Sequence, residues 1–203
     1  MTDNIDTELR TLAACAYGEA STDNHSEEIG AIAFAIANRA KAWGKTLTDM
    51  MDYSGYIYAK QNANARYEKL MKATKTEIEA DTNGMAIALS WAKKAKDNTG
   101  TDPSGGAFFW DGLDFSTNIN HPKRVQGFKY SNTAHNIFSV PENVISTVTI
   151  YWQAKNKDGQ LINTKVRGTY DHVWVSTAVQ NSTSIFWKYN PDYIKATGAK
   201  SYV

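Results

Sequence analysis

The segment that most constrains this 203-residue chain is Ile29 to Trp43, which is rich in alanine and isoleucine and contains few polar residues. A surface helix carries an apolar stripe along one side only, whereas this segment is apolar on most sides. We therefore predict a buried central helix around which the other elements pack. Ser26 is the predicted N-cap of this helix, and the acidic residues Glu27 and Glu28 suit its first turn.

Other segments of the first half also have helical periodicity. Apolar residues recur at helical spacing from Asp6 to about Glu19 and again from Gly84 to Lys96, and the charged stretch Ala65 to Ile78 indicates a surface helix. Turn-forming residues from Asp97 to Gly106 then interrupt the pattern. The short apolar run Ala107 to Trp110 that follows them is typical of a strand.

The last third of the chain has a different character. Val144 to Tyr151 alternates β-branched residues with Thr and Ser, which favours a strand, and Asp158-Gly159 indicates a hairpin turn. Asp171 to Ala178 is also predicted to be extended. We predict an α+β protein that is mainly α. Residues 1–140 form its main domain, and residues 141–203 form a small β-containing extension that packs on it without folding independently.

The bulk properties of the chain exclude several functional classes. A formal charge of +1 gives no support for a nucleic-acid partner. Cys15, the single cysteine, lies in an apolar run and is predicted to be a small buried hydrophobe rather than the nucleophile of a protease or amidase. The N-terminal residues do not resemble a secretory signal, and no apolar stretch approaches the roughly 20 residues that span a bilayer. We expect a protein made in the cytoplasm without a membrane span.

Glu19 is the first candidate catalytic residue. It ends the first predicted helix, in the segment Ala16 to Ala20, among small and aromatic residues. Burial beside aromatic surface raises the pKa of a carboxyl group and keeps it protonated, as the general acid of a glycosidase requires. Taken alone, the position is more typical of a solvated glutamate at a helix end.

Two further segments contain candidate functional residues, and each has a structural interpretation as well. Asp102 to Trp110 contains a proline and two glycines before an aromatic run. This segment is either a well-formed turn that enters a strand, or a loop whose backbone amides and aromatic edge bind a polymer beside the acid. His135 lies in Ala134 to Phe138, and a lone histidine is more often structural than catalytic.

In their order and spacing, these segments resemble the SleB/CwlJ-type cell wall hydrolases, the family of the spore-cortex-lytic enzymes. That family has an acid in a Tyr-Ala-Glu-Ala-like helix end, an apolar helix closing on Asn-Arg, an Asp-Pro-Thr-Gly-Gly-Ala-aromatic loop and a late His near Phe. Gly18 and Ser104 depart mildly from this pattern, and Tyr53 to Arg66 matches it poorly. The resemblance covers about Thr7 to Val140. The matching segments are Tyr17 to Ala20, Ile29 to Arg39, Asp102 to Phe109 and His135 to Phe138.

The resemblance implies a mainly helical fold related to the lysozymes and lytic transglycosylases. It also implies cleavage of the bond between N-acetylmuramic acid and N-acetylglucosamine in bacterial peptidoglycan. Glu19 matches the catalytic acid of the family, and Glu27 matches an acidic residue at the start of the second helix, which makes it the candidate second acid. The predicted substrate-binding residues are Tyr17, Tyr58, Gln61, Ser104, Gly105, Gly106, Phe109, Trp110 and His135.

The number of catalytic carboxylates decides between two mechanisms. Hydrolysis by a retaining or inverting glycosidase needs two, and Asp23, Glu28 and Asp102 are further candidates beside Glu27. Lytic transglycosylation needs one acid, and we favour it over hydrolysis. We expect no cofactor and no metal ion, since the four histidines lack the paired spacing of a metal site.

Without a recognisable export signal, a cell-wall enzyme needs another route to its substrate. We expect an antibacterial toxin delivered by a type VI-like secretion system into the periplasm of a target cell. Its expected partners are peptidoglycan glycan strands and a cognate immunity protein. The alternatives are a phage endolysin, or a glycan-binding or inhibitory module without turnover, and a module without turnover would not need an acid at Glu19.

Overall fold

A computed structural model describes residues 5–203, which contain ten α-helices, six strands and a short 3-10 helix at Thr133–His135. The helices are α1 (Thr7–Glu19), α2 (Ser26–Trp43), α3 (Leu47–Met51), α4 (Tyr58–Gln61), α5 (Ala65–Lys72), α6 (Lys75–Ala80), α7 (Met85–Asp97), α8 (Asp114–Thr117), α9 (Pro122–Gln126) and α10 (Pro191–Thr197). The strands are β1 (Phe109–Asp111), β2 (Phe128–Lys129), β3 (Val148–Lys155), β4 (Leu161–Tyr170), β5 (Trp174–Gln180) and β6 (Ser184–Tyr189).

Helix α2 is the buried centre of the helical part, as its apolar sequence predicts. Every residue from Glu28 to Ile36 is buried, and α1 and α7 pack against it. Gly30 permits the approach of α7, because a Cβ at this position would lie 2.6 Å from the Trp91 ring. The prediction of Ser26 as N-cap is wrong: it is the first helical residue, and its hydroxyl accepts the Trp91 indole N–H at 2.8 Å.

The charged stretch Ala65 to Ile78 forms two helices instead of the single predicted helix. Ala73 is extended and ends α5, and Thr74 begins α6 with a capping box. In that box the Thr74 hydroxyl accepts the Glu77 N–H at 3.2 Å, while the Glu77 carboxylate accepts the Thr74 N–H at 2.7 Å. A Thr-x-x-Glu spacing within a helical pattern is therefore a start signal here.

The four-stranded sheet has the order β1-β6-β5-β2. The β1–β6 and β5–β6 pairs are antiparallel, and the β2–β5 pair is parallel. The central strand β6 is buried from Ser184 to Trp187. Strands from widely separated parts of the chain therefore share one sheet. Strand β1 overlaps the strand predicted at Ala107 to Trp110, whereas β2 was not predicted and lies before residue 141, where the β-containing extension was expected to begin.

The expectation of a mainly α, lysozyme-like domain with a small β-containing extension is wrong. The protein is 43% helical and 19% strand, with sheets of four and two strands, and its fold is mixed α/β. Strands β1 and β2 are too short to show a two-residue period. The run Ile185 to Trp187 is buried throughout, so β6 lacks the polar alternation of a half-exposed strand.

Strands β3 and β4 form a separate antiparallel hairpin that packs against α10. Its turn contains the predicted Asp158-Gly159 pair, with Gly159 at a φ of 79°. Positive φ is readily adopted by glycine because it lacks a Cβ atom. The half of the hairpin nearest this turn is exposed on both strands.

Within residues 5–203, the buried hydrophobic residues form two clusters, one mainly among the helices and one around the four-stranded sheet. Strand β1 joins the two clusters: Trp110 packs against the helical cluster, while Phe109 packs against the sheet cluster. Opposite orientations of neighbouring side chains follow from the alternation of a strand. No helix within residues 5–203 is long and apolar enough to cross a membrane, in agreement with the prediction.

Candidate active site

A groove of about 380 Å³ lies where the helices meet the sheet. Its volume is within the range of pockets that bind small ligands, roughly 300–1,000 Å³. The helical wall of the groove comes from α1, α2 and the segment Tyr53–Gln61, and the strand wall comes from β1 and α9. The lining residues are Glu19, Arg39, Tyr53, Gly55, Tyr56, Tyr58, Gln61, Phe109, Trp110, Asp111 and Lys123.

Glu19, the last residue of α1, contributes a half-buried carboxyl group to the helical wall. Its Oε1 atom accepts the Ala59 backbone N–H at 2.5 Å, and the Trp110 side chain and the Tyr58 backbone also hydrogen-bond to it. Burial raises the pKa of Glu19 above its ordinary value, and these hydrogen bonds offset only part of the increase. The increase shifts the balance towards the protonated form, which a general acid needs.

A close approach of α4 to α1 gives Glu19 its backbone partner. A Cβ at Gly18 would lie 2.7 Å from the Ala59 Cβ and 3.1 Å from the Tyr67 Cβ. Gly18 therefore lets α4 dock against the end of α1, which brings the Ala59 N–H to the carboxyl group. The glycine beside the acid, which departs from the pattern of the resembled family, has a packing reason in this chain.

The loop from Asp102 to Ala107 braces β1 and does not line the groove. The Asn38 side-chain amide donates to Asp102 Oδ2 at 2.9 Å and to the Ala107 carbonyl at 3.3 Å. The Asp102 carboxylate also accepts the N–H groups of Ser104 at 2.7 Å and Gly106 at 3.0 Å. These polar groups are satisfied within the protein, so Ser104, Gly105 and Gly106 hold the strand that carries Phe109 and Trp110.

The other predicted substrate-binding residues divide into two groups. Tyr58 and Gln61 line the groove beside Glu19. Tyr17 is buried, with the Arg66 guanidinium 4.1 Å from its ring, and lies outside the lining. His135 is also outside it. Its Nδ1 is 2.7 Å from Ser176 Oγ, and burial lowers its pKa.

No acid proposed from the sequence as a partner of Glu19 lines the groove. Glu27 and Asp23 are exposed near the start of α2, and Asp102 belongs to the bracing loop. Glu28 is buried, and its carboxylate accepts hydrogen bonds from hydroxyl groups of the β5–β6 turn and of the segment after α1. These donors are Ser21 at 2.6 Å, Thr183 at 3.0 Å and Ser184 at 2.6 Å.

Asp111 is the second carboxylate of the groove and was not among the candidate residues predicted from the sequence. Its side chain is 10% exposed, and Lys123 Nζ lies 2.9 Å from Oδ2. His121 Nε2 lies 3.3 Å from Oδ1, while His121 Nδ1 accepts the Lys123 backbone N–H. An imidazole that accepts at Nδ1 carries a proton on Nε2, so the N–H of His121 lies next to the Asp111 carboxylate. The only sequence signal is an acid directly after the aromatic run.

Two other groups bear on alternative chemistry. Asp111, Asp114 and His121 each offer a ligand atom within 4.8 Å of the others, but Lys123 already supplies the positive charge that a buried carboxylate needs. Cys15 is fully buried, and burial raises the pKa of its thiol to about 12. A thiol in this environment remains protonated and is a poor nucleophile.

Comparisons of the chain with protein-family models, with curated protein sequences and with solved structures find no match. The resemblance to cell wall hydrolases therefore stays a prediction that depends on the quoted motifs.

Proposed function

We propose that this protein cleaves glycosidic bonds in peptidoglycan, with Glu19 as its general acid. One observation carries the proposal: a half-buried carboxyl group with a raised pKa lies in a groove in contact with Trp110. Perturbed carboxyl groups in clefts are typical of acid–base catalysts. The choice of peptidoglycan comes from the sequence resemblance, and the groove supports it through the chemistry that its walls offer.

The walls of the groove offer aromatic surface beside the acid. Tyr58 is 69% exposed, and Tyr56, Phe109 and Trp110 also line the groove. Aromatic rings present flat apolar faces that pack against the apolar faces of sugar rings, while their polar edges hydrogen-bond to hydroxyl groups. A glycan strand in the groove would therefore contact rings of both walls while its glycosidic oxygen lies near Glu19.

The mechanism that we propose is lytic transglycosylation. Protonated Glu19 gives its proton to the glycosidic oxygen as the bond from C1 of the muramyl residue to this oxygen breaks. The 6-hydroxyl of the same residue then attacks C1, and the Glu19 carboxylate takes the hydroxyl proton, which leaves a 1,6-anhydro product. This route needs one free carboxyl group. It fits a groove in which the second carboxylate, Asp111, is already neutralised by Lys123.

Digestion of purified sacculi tests the proposal. Wild-type protein should release anhydromuropeptides that mass spectrometry identifies, and Glu19→Gln should lower their rate of release about 100-fold or more. Glu27→Gln is the matched control because it removes an exposed acid outside the groove. Identical undigested profiles for all three proteins would reject the enzyme proposal, and products with hydrolysed reducing ends would replace transglycosylation with hydrolysis.

Delivery into a rival cell is a separate prediction and needs its own experiment. Expression of the chain in the periplasm should lyse the cells, and co-expression of a neighbouring gene should protect them if that gene encodes an immunity protein. Harmless periplasmic expression of a protein that digests sacculi would reject the antibacterial role and leave the enzyme proposal standing.

A further inference from the structure

The second cation of the groove, Arg39, lies in an aromatic cage. Arg39 is 4% exposed and projects from α2 into the lining of the groove. Four rings surround its guanidinium carbon. The distances from this carbon to the ring centroids are 4.1 Å for Tyr56, 4.5 Å for Phe109, 5.4 Å for Tyr53 and 5.7 Å for Trp43.

The hydrogen-bond partners of Arg39 are neutral. Its Nε donates to the Tyr202 carbonyl at 2.7 Å, and the Tyr56 hydroxyl is its other partner. Among residues 5–203, no carboxylate pairs with this guanidinium. Lys123, by contrast, has the Asp111 carboxylate at 2.9 Å. A guanidinium carries five N–H donors, so Arg39 retains donors without a protein acceptor.

A buried cation without an anion is costly, because protein replaces the water that solvated it. The aromatic rings recover part of this cost through cation–π attraction. We propose that the groove binds a carboxylate group of its ligand, and that Arg39 is the residue that binds it. A planar carboxylate matches the fork of a guanidinium and accepts two parallel hydrogen bonds from it.

The charges of the groove favour an anionic ligand. Asp111 and Lys123 neutralise each other, and Glu19 is uncharged when it is ready to act as an acid. With Glu19 protonated, or replaced by glutamine, Arg39 leaves the groove with a net positive charge. One cation beside apolar rings suits a singly charged carboxylate better than a phosphate, which carries up to two charges and three strong acceptors.

The inference rests on the proposed function for the nature of the ligand as a glycan, but not for the presence of a carboxylate. A peptidoglycan strand offers carboxylates from two sources, the lactyl group of a muramyl residue without its peptide and the peptide stem. Both present the same group to Arg39. Binding to the site requires no turnover, so it can be measured in a protein that lacks the catalytic acid.

Binding to the Glu19→Gln protein by calorimetry tests the proposal. N-acetylmuramic acid is compared with its methyl ester, which has nearly the same shape without the charge, and a disaccharide-peptide is compared with its fully amidated form. We expect at least one of the charged ligands to bind about tenfold more tightly than its neutral counterpart. This ratio reflects a charge-assisted hydrogen-bonded pair. The pair that shows the preference identifies the source of the carboxylate.

Arg39→Gln in the same background should reduce the preference to about one. Arg39→Lys should retain part of it, because an ammonium keeps the charge but not the fork. Arg10→Gln is the matched control: Arg10 donates to the carbonyls of Met71 and Ala73 away from the groove, and the preference should persist.

Equal affinity for charged and neutral ligands in both pairs would overturn the proposal, and so would a preference that survives Arg39→Gln. If Arg39→Gln fails to fold, the comparison of each ligand with its neutral form on the Glu19→Gln protein still decides. The outcome is independent of the proposed enzyme activity, which is read from the digestion of sacculi. If the protein binds the carboxylate but releases no product from sacculi, the inference about Arg39 is supported and the proposed glycosidase activity is rejected.

Discussion

The two walls of the groove differ in whether their charged side chains are paired. On the strand wall, Asp111 and Lys123 form an ion pair, and His121 Nε2 lies 3.3 Å from the Asp111 carboxylate. On the helical wall, the described part of the chain, residues 5–203, gives Glu19 no cationic partner and Arg39 no anionic one. A charge that is already paired contributes to the fold and is difficult to recruit, whereas an unpaired one can act on a ligand. Under the proposed function, the helical wall therefore supplies the groups that act on the ligand, and the strand wall supplies a rigid face.

The difference between the two walls predicts its largest effect on the rate of glycan cleavage. Glu19→Gln should lower the rate of glycan cleavage about 100-fold to 10,000-fold, because the amide cannot transfer a proton to the leaving oxygen. Asp111→Asn should lower the rate per folded molecule less than tenfold. Both rates are measured as the release of soluble muropeptides from sacculi. Equal losses in the two variants would give the strand wall a catalytic carboxylate and end the distinction between the walls.

The second prediction concerns the stability of the strand wall. Asp111→Asn leaves the buried Lys123 ammonium without its anion, and we expect the free energy of unfolding to fall by about 3 kcal/mol. Adding Lys123→Met in the same chain should restore most of this loss, since a buried apolar side chain then replaces the orphaned charge. Urea unfolding measures both variants. A double variant as unstable as the single one would show that the ion pair is not the cause.

Gly18 offers a test of how the helical wall is built. Gly18→Ala places a methyl group against Ala59, and overpacking of this kind costs about 1–3 kcal/mol. We expect lower stability together with weaker activity, because α4 carries the backbone N–H that binds Glu19. Gly112→Ala is the control, since a Cβ at Gly112 meets its nearest atom at an ordinary 3.7 Å.

The smallest predicted effect is the dependence of stability on pH. Because the pKa of Glu19 is higher in the folded protein than in the unfolded chain, the folded state holds this proton over the interval between the two values. The Glu19 contribution to stability is therefore fully present at low pH and is lost as the pH rises through the folded-state pKa. Activity should fall over the same interval, because the acid form is consumed.

Glu19→Gln should consequently be at least as stable as the wild-type protein at neutral pH, with a melting temperature higher by about 2 °C. Below the ordinary pKa of a glutamate, this advantage should disappear. Thermal melts of both proteins at several pH values measure the difference. A variant that is less stable than the wild type at every pH would show that the ionised carboxylate stabilises the fold.

The long helices of the first half and the position of Glu19 at a helix end were predictable from the sequence, because local patterns determine them, whereas the short helices α8, α9 and α10 were not predicted. The apolar run of α2 and the helix end at Glu19 can both be seen within fewer than twenty residues. Strand β6 could not be predicted in this way, since Ile185 to Trp187 are apolar without alternation. The division of Ala65 to Ile78 into two helices had a readable signal in Thr74 and Glu77.

The rest of the site depends on partners that are distant in the sequence. Arg39 is a candidate ligand-binding residue because rings from two other segments, Tyr53–Gln61 and β1, surround it together with Trp43 of its own helix. Asp111 belongs to the site because α9 brings Lys123 to it. Glu28 shows the reverse case, in which distant partners exclude a candidate. It was a plausible second acid, but hydroxyl groups more than 150 residues away bind its carboxylate. Long-range contacts of this kind leave no periodic trace in a sequence.

Strand β1 also predicts whether the protein loses its activity or its helical structure first on heating. Its residues Phe109 and Trp110 connect the two hydrophobic clusters, and Trp110 both packs on the helices and hydrogen-bonds to Glu19. Any loosening between the clusters separates Trp110 from the acid while each cluster is still folded. Inactivation should therefore precede the loss of helical circular dichroism, and a ligand that contacts both walls should bring the two events to the same temperature.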